Sequence, residues 1–287
     1  MLTQHEAPLN LGCLQLHSLS DGFFGLDGGA MFGVVPKPLW ERKNPPDERN
    51  RIRLASRPLL VVTGDERILI DTGIGDKWNA RQKEIYCIEK TDSIDSSLAH
   101  AGFRPDEITR VVLTHLHFDH AGATTRLDEA GRPVPRFPCA RHYVQRREWE
   151  TATNLNRRTR GSYVPDDYLP VDSAGLLELL DGDTELVPGV RLVRTGGHTA
   201  GHQVVRLESA GSTAVYWSDL IPTRTHVAVP YIMGYDSLPL ETMEQKERLL
   251  ARASAEEWLC FFPHDPDYAA GFVRSEGEDY TITPVLA

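Results

Sequence analysis

"THLHFDHAG", residues 114–122, follows directly on the apolar run "VVL" at 111–113 and places three histidines and an aspartate within six positions. The longer stretch "ITRVVLT" reads as a strand that delivers this cluster at its C-terminal end. In an extended chain side chains two apart point the same way, so His115 and His117 can meet one metal ion. If the chain then turns into a helix, Asp119 and His120 are redirected toward a second ion. Imidazole nitrogen and carboxylate oxygen are ordinary zinc ligands, and a set without thiolate also suits manganese, iron or cobalt. With 11 histidines in 287 residues, the HxHxDH pattern arises by chance in roughly one chain in a thousand. Four residues cannot complete two metal sites, so further ligands are expected at other strand ends. The chain offers His198 in "TGGHTAGH", Asp219 in "YWSDL" and His264 in "FFPHD".

The surrounding chain alternates short apolar strands with turn signals and a few helical patterns, with no internal repeat and no low-complexity tract. "PLLVVTGDERILIDTG" reads as a hairpin turning at Thr63 to Glu66 and running into Asp71, and "SIDSSLAHAGF" as a capped helix stopped at Gly102. "RHYV" is a strand, "QRREWETAT" a helix, and "RRTRGSYVPDDYLPVDSAG", residues 157–175, a long surface excursion. "TELVPGVRLVRTGGH" and "QVVRLESAGSTAVYWSD" give two more strand pairs, ending at His198 and Asp219. "PLETMEQKERLLARASAEE" is the clearest amphipathic helix, followed by "WLCFFPHD" as a strand ending at His264. Strand after strand thus ends in a histidine or an aspartate. No linker divides residues 1–287, so we expect one domain with two β-rich halves covered by helices.

Composition narrows the function. With 31 Lys+Arg against 41 Asp+Glu, the formal charge of -10 works against binding DNA or RNA, which depends on neutralising phosphates. The expected partner is a neutral or weakly charged small molecule. No apolar run approaches the roughly 18 residues that span a bilayer, and the start "MLTQHEAPLNLG" lacks the basic region and apolar core of a signal peptide. No membrane association is therefore expected, and the chain reads as cytoplasmic. Cys13, Cys87, Cys139 and Cys260 form no CxxC pair, and are expected to be buried or half-buried thiols in a reducing compartment.

"LIDTG", "THLHFDH", "GGHTAGH", "WSD" and "FPHD", in that order and spacing, resemble the five motifs of the metallo-β-lactamase superfamily. The resemblance covers nearly the whole chain. It implies an α+β fold, a four-layer αββα sandwich with a dinuclear metal centre at its edge. Carried over position by position, it implies that His115, His117 and His198 hold the first metal and Asp119, His120 and His264 the second, with Asp219 bridging. Asp71 would be a supporting carboxylate that orients a ligand, as metal ligands usually need. Among the other histidines, His202 is expected to support the site from behind, while His5, His17, His100 and His142 are expected to be ordinary surface or core residues. His226, seven residues after Asp219, is a candidate to face the substrate.

Two divalent ions ~3.5–4 Å apart draw the pKa of a bridging water toward neutrality, so the expected reaction is hydrolysis of an ester-like bond by hydroxide, with Asp119 returning a proton to the leaving group. Zinc is the first expectation for both ions. An aspartate in HxHxDH with histidine as the last ligand lacks the cysteine of many true β-lactamases. "DGGAMFGVVPKPLWERKNP", residues 27–45, together with "DTGIGDKW", is instead similar to the quorum-quenching lactonases that open N-acyl homoserine lactones, and to the organophosphate hydrolases nearest them. Phe23, Phe24, Met31, Phe32 and Trp40 are then candidates for an apolar wall beside an acyl chain.

Some lactonases of the superfamily carry a catalytic tyrosine three residues after the bridging aspartate, where this chain has Pro222. Tyr231, Thr223 and His226 are the candidates to replace its contact. The leading expectation is a dizinc N-acyl homoserine lactonase, with an aryl ester or organophosphate hydrolase as the alternative. A nuclease is disfavoured by charge, and a metal-binding protein without activity by the complete ligand set. The excursions at 76–95 and 154–174 are candidates for a homodimer interface.

Overall fold

In the strand Leu59–Thr63 successive side chains face opposite ways: Leu59 and Val61 enter one buried cluster, Leu60 and Val62 another. The same split recurs in Glu66–Ile70, where Ile68 and Ile70 face Leu59's cluster and Leu69 the other. A strand that is apolar on both sides must be covered on both sides. That requirement sets the layering of the computed structural model, which describes residues 7–277 and 279–286. His5 lies outside these residues.

Two seven-stranded sheets face each other among the described residues. The first runs in the order Leu9–Leu11, Leu14–Ser18, Leu59–Thr63, Glu66–Ile70, Arg110–Val112, Arg141–Gln145 and Leu177–Leu180. The second runs Thr184–Val187, Val190–Arg194, Gln203–Ser209, Ser212–Tyr216, Leu259–Phe261, Ala270–Glu276 and Asp279–Leu286. Leu16, Val61, Ile70 and Val112 from the first pack on Leu192, Val205, Tyr216 and Phe261 from the second. Thr63 pairs with Glu66 across the expected tight turn, where Gly64 takes the left-handed φ of 54°.

Helices cover the two outer faces, giving four layers, α, β, β and α. Over the first sheet lie Ile94–His100 and Arg146–Thr153, which bury Ile94, Leu98 and Ala152 against Leu60, Leu69, Val111 and Val144. Ser93 caps the former by accepting from the Ser96 amide at 3.1 Å, which satisfies a donor that a helix start leaves unpaired. Over the second sheet lies Pro239–Ala255, whose Thr242, Lys246, Leu249, Leu250 and Ala253 form one buried stripe at helical spacing. Each parallel strand pair needs such a crossover, and the two β-rich halves with helical cover match the pattern read from the sequence. No helix among the described residues is long and apolar enough to cross a membrane.

The stretch 157–175 departs from the expected surface excursion. Tyr163, Asp167, Tyr168 and Val171 are buried, with the Tyr168 hydroxyl donating to Ala152 O at 2.8 Å. Its prolines and charges suggested solvent, but its aromatics anchor it to the first sheet's helical layer. The cysteines divide differently too: Cys260 is buried and Cys87 half-buried, but Cys13 and Cys139 are exposed.

Candidate metal centre

The strand Arg110–Val112 leads through Leu113 and Thr114 to His115, and the chain then turns into the short helix Phe118–Ala121 with His117 at its N-cap. Asp219 follows Ser218, a non-glycine residue at φ 49°, just past Ser212–Tyr216. Asp71 follows Glu66–Ile70 and itself takes φ 55°. Such left-handed backbone costs energy and persists where neighbours hold it. Here the Thr114 hydroxyl contacts Ser218 Oγ at 2.6 Å and donates to both Asp71 carboxylate oxygens, at 3.0 and 2.9 Å.

These strand ends bring together two clusters. Ring nitrogens of His115, His117 and His198 lie within 4.8 Å of one another, as do ligand atoms of Asp119, His120, Asp219 and His264. Asp219 joins them: its Oδ2 is 3.2 Å from His198 Nε2, and its Oδ1 is 3.2 Å from His120 Nε2 and 3.1 Å from His264 Nε2.

The rings are held from behind. His120 Nδ1 donates to Asp71 Oδ2 at 2.8 Å, His198 Nδ1 to Asp236 Oδ1 at 2.8 Å, and His264 Nδ1 to Ala55 O at 2.8 Å. In neutral imidazole the second nitrogen is then a bare lone pair. Yet His120 Nε2 and His264 Nε2 face each other at 2.9 Å, and His198 Nε2 faces His117 Nδ1 at 3.1 Å. The buried His115 Nε2 has no hydrogen-bond partner among the described residues. Five lone-pair nitrogens and two carboxylates converging on two points fit divalent cations, with the anchoring bonds that metal-binding histidines use.

Electrostatics point the same way. Burial, reinforced by neighbouring histidines, holds His115 and His117 well below the usual histidine pKa. Burial also disfavours charge on His120 and His198, but Asp219 with Asp71 and Asp119 raises the first well above the usual value, and Asp219 with Asp236 raises the second. Burial would raise Asp219, but His120, His198 and His264 outweigh it and hold its carboxyl well below the usual range. Asp219 is thus held as a carboxylate between the two groups of histidines. His202 stands behind it, with Nδ1 2.7 Å from Thr195 Oγ1 and Nε2 accepting from the Asp219 amide at 3.2 Å.

A cavity of about 300 Å³ opens over the centre. His117, Asp119, His198, Asp219 and His264 form its floor, and Leu26, Met31, Phe118 and Met233 its apolar walls; Tyr86, Tyr235 and Arg158 also line it.

Comparison with known proteins accords with this geometry. Residues 53–264 match the family model described as the metallo-beta-lactamase superfamily. The chain belongs to that superfamily. An N-acyl homoserine lactonase of Bacillus thuringiensis is 30% identical over 219 residues, 72% of this chain and 79% of the relative. Among solved structures, a probable metal-dependent hydrolase from Staphylococcus aureus superposes with a TM-score of 0.88 at 34% identity, covering 97% of this chain and 100% of that one. AidC, a dizinc quorum-quenching lactonase in complex with its product, superposes with a TM-score of 0.80 at 22% identity, covering 97% of this chain and 96% of that one. The protein is a metal-dependent hydrolase.

The metallo-beta-lactamase fold places the residues expected at the substrate differently from the metal-site candidates. Of the expected aromatic and apolar wall, Met31 lines the cavity. Phe24, Phe32 and Trp40 lie behind it in a buried cluster with Ile52, Leu54 and Ile74, and Phe23 is half-buried under the Arg53 guanidinium, 3.5 Å from its ring centre. This short segment must bury its aromatics to cover its own hairpin, so they serve as core.

None of the three candidates for the tyrosine's contact lines the cavity. His226 is buried and stacked on Phe32 at 4.5 Å, with Nδ1 2.8 Å from Thr223 Oγ1 and Nε2 donating to Met31 O at 2.9 Å. Tyr231 meets Phe32 edge-on from the outer side of that cluster. The hydroxyl-bearing residues on the cavity wall are instead Tyr86, Ser162 and Tyr235. The remaining histidines are buried at His142, half-buried at His17 and exposed at His100. Sequence reasoning also missed Asp236, Glu148, Tyr86 and Arg158, which lie outside any motif.

Proposed function

We propose that the enzyme opens the lactone ring of N-acyl homoserine lactones, with His115, His117 and His198 holding one divalent ion, Asp119, His120 and His264 a second, and Asp219 spanning both. Zinc is the metal we expect first, with manganese, iron or cobalt also suited to this oxygen and nitrogen set, and a single hydrolase domain would supply all seven ligands. The observation that carries the reading is the position of Asp219, whose two oxygens meet different clusters at the floor of a cavity walled by Leu26, Met31, Phe118 and Met233. Relatives named as N-acyl homoserine lactonases support the substrate class.

When bound, the two ions would supply Lewis-acid polarisation of the ester carbonyl and would lower the pKa of a water molecule that they bind. The chain's own groups do the rest. Asp71, Asp236 and the Ala55 carbonyl fix His120, His198 and His264 in one tautomer and orientation. Asp119 lines the cavity with Oδ2 3.6 Å from His264 Nε2, and accepts no hydrogen bond from another described residue. Its carboxylate can take a proton and return it to the departing ring oxygen. The apolar walls exclude water and hold the acyl chain.

Rates on an N-acyl homoserine lactone with an acyl chain of about eight to twelve carbons and on a nitrophenyl phosphotriester, measured side by side, test the reading. Ring opening well above the uncatalysed rate, and faster than phosphotriester cleavage, is expected. A lactone rate at background with a brisk phosphotriester rate would replace it with the organophosphate hydrolase.

A further inference from the structure

Arg158 is the lone lysine or arginine among the residues lining the cavity, in a chain of net charge -10. It is exposed, yet it is held at both ends. Asn156 Oδ1 accepts from the amides of Arg158 and Thr159 at 2.8 and 3.1 Å, and Thr159 Oγ1 accepts from the Asn156 amide at 3.1 Å, which closes the turn. The next residues are tied to the metal-site helix, because the Phe118 amide donates to Ser162 O at 2.9 Å and His117 bridges Tyr163. At its far end Nη2 donates to Gly234 O at 2.8 Å and Asp236 O at 3.1 Å, and Asp236 is the carboxylate behind His198. The side chain therefore spans two walls of the cavity, one built on His117 and the other on His198.

A guanidinium carries five N–H donors and no acceptor. Nη2 uses two; Nε and Nη1 have no acceptor among the described residues. Donors on a pre-fixed fork cost little entropy to engage, and beside a wall of Leu26, Met31 and Met233 they give the cavity a polar element that its apolar side lacks. Such a group recognises an acceptor oxygen and cannot recognise an N–H. In an N-acyl homoserine lactone the acylamino group sits on the carbon next to the scissile carbonyl, so its amide oxygen lies a few bonds from the reacting centre.

We propose that Arg158 binds the amide carbonyl of the acyl homoserine lactone and so sets the orientation of the ring over the metal centre. This rests on the lactonase reading above and adds the residue that distinguishes an acylamino lactone from a plain alkyl lactone.

The test compares wild-type enzyme with Arg158→Met and Arg158→Lys on N-hexanoyl homoserine lactone and on an α-alkyl-γ-butyrolactone of matched chain length, which lacks the amide. Arg158→Met is expected to lower kcat/KM on the amide lactone by about 10- to 100-fold, the worth of a hydrogen bond to a charged group, and on the alkyl lactone by less than about 3-fold. Arg158→Lys, which keeps the charge and loses the fork, falls between. Metal content, followed in parallel, should not move, and loss of the bonds to Gly234 O and Asp236 O should lower the melting temperature by only a few degrees. Equal losses on both lactones would make Arg158 a strap between the walls and overturn the assignment while leaving the lactonase reading intact. If the wild-type enzyme opens neither lactone, both readings fall together.

Discussion

His120 Nε2 and His264 Nε2 lie 2.9 Å apart in a buried site, each with its other nitrogen already donating, to Asp71 and to the Ala55 carbonyl. Two lone pairs at that distance repel unless a proton or a metal cation lies between them. Exhaustive chelation is therefore expected to destabilise the fold as well as abolish activity. Each ion present at a thousandfold excess over its dissociation constant contributes about 4 kcal/mol, so the two together contribute about 8 kcal/mol, or roughly 15 °C for a chain of this size. Calorimetry before and after chelation, and after zinc is restored, checks this, with metal analysis expected near two ions per chain. An unchanged melting temperature would mean that the cluster tolerates its own repulsion and that the metal is not part of the folded state.

The two carboxylates behind the histidines divide the site between them. Asp71 accepts from His120, and Asp236 from His198, each at 2.8 Å. Exchanging either for asparagine keeps the size but replaces an acceptor oxygen by a donor, which weakens the ring's orientation and basicity, and metal affinity should fall by about 10- to 100-fold. Asp71→Asn should loosen the ion at the Asp119–His120–His264 cluster, and Asp236→Asn the ion at His115, His117 and His198. Metal retained after dialysis at graded chelator concentration reads this out. Loss of both ions together in either variant would show that Asp219 couples the clusters too tightly to be separated this way.

Sequence and structure part company at Asp236. His115, His117, Asp119 and His120 could be read as candidates because four ligand-type residues lie within six positions, and His198, Asp219 and His264 because each follows an apolar run. The four layers came from the family resemblance and not from periodicity; the structure supplies their physical reason, because Leu59 to Val62 are apolar on both faces, which demands cover on both. Asp236, Tyr86 and Arg158 come from irregular loops, where no period marks which side chain turns inward. Lys246 was hidden by its charge. It occupies a buried position on the apolar stripe of Pro239–Ala255, donating to Ala228 O and Tyr231 O at 2.8 Å, and burial draws its pKa down to about 7. The aromatics at 23–40 show the converse. Composition marks them as apolar, but only packing decides between cavity wall and core.

Glu148 joins the two histidine loops from below. Fully buried, it accepts from the Leu116 amide at 3.0 Å, the Tyr163 hydroxyl at 2.8 Å and the Thr199 hydroxyl at 2.5 Å, so the residue after His115 and the residue after His198 share one carboxylate. Glu148→Ala leaves three buried donors without an acceptor and should cost about 3–5 kcal/mol. Glu148→Gln keeps an acceptor for Leu116 and Tyr163 and should cost less. Urea unfolding of the metal-loaded proteins measures both. A loss under about 1 kcal/mol for the alanine variant would mean that water replaces the carboxylate.

His142 offers a pH test away from the metal ligands. It is fully buried in the strand Arg141–Gln145, its Nδ1 donates to Ala140 O at 3.1 Å, and its Nε2 has no hydrogen-bond partner among the described residues. Burial lowers its pKa to about 4, against roughly 6.5 in the unfolded chain. Between those values the unfolded state binds the extra proton. The neutral ring's contribution is therefore intact above about pH 6.5 and is lost as pH falls toward 4, with a total of about 3 kcal/mol. His142→Leu removes this titration while filling similar space. At pH 7 it should lie within about 1 kcal/mol of wild type, because one hydrogen bond is lost and one unpartnered polar atom removed. At pH 4.5 it should gain about 2–3 kcal/mol relative to wild type. The difference between the two proteins, measured by urea unfolding across this range, cancels the groups they share. A difference that stays constant with pH would show that His142 charges as readily in the folded protein as in the unfolded chain.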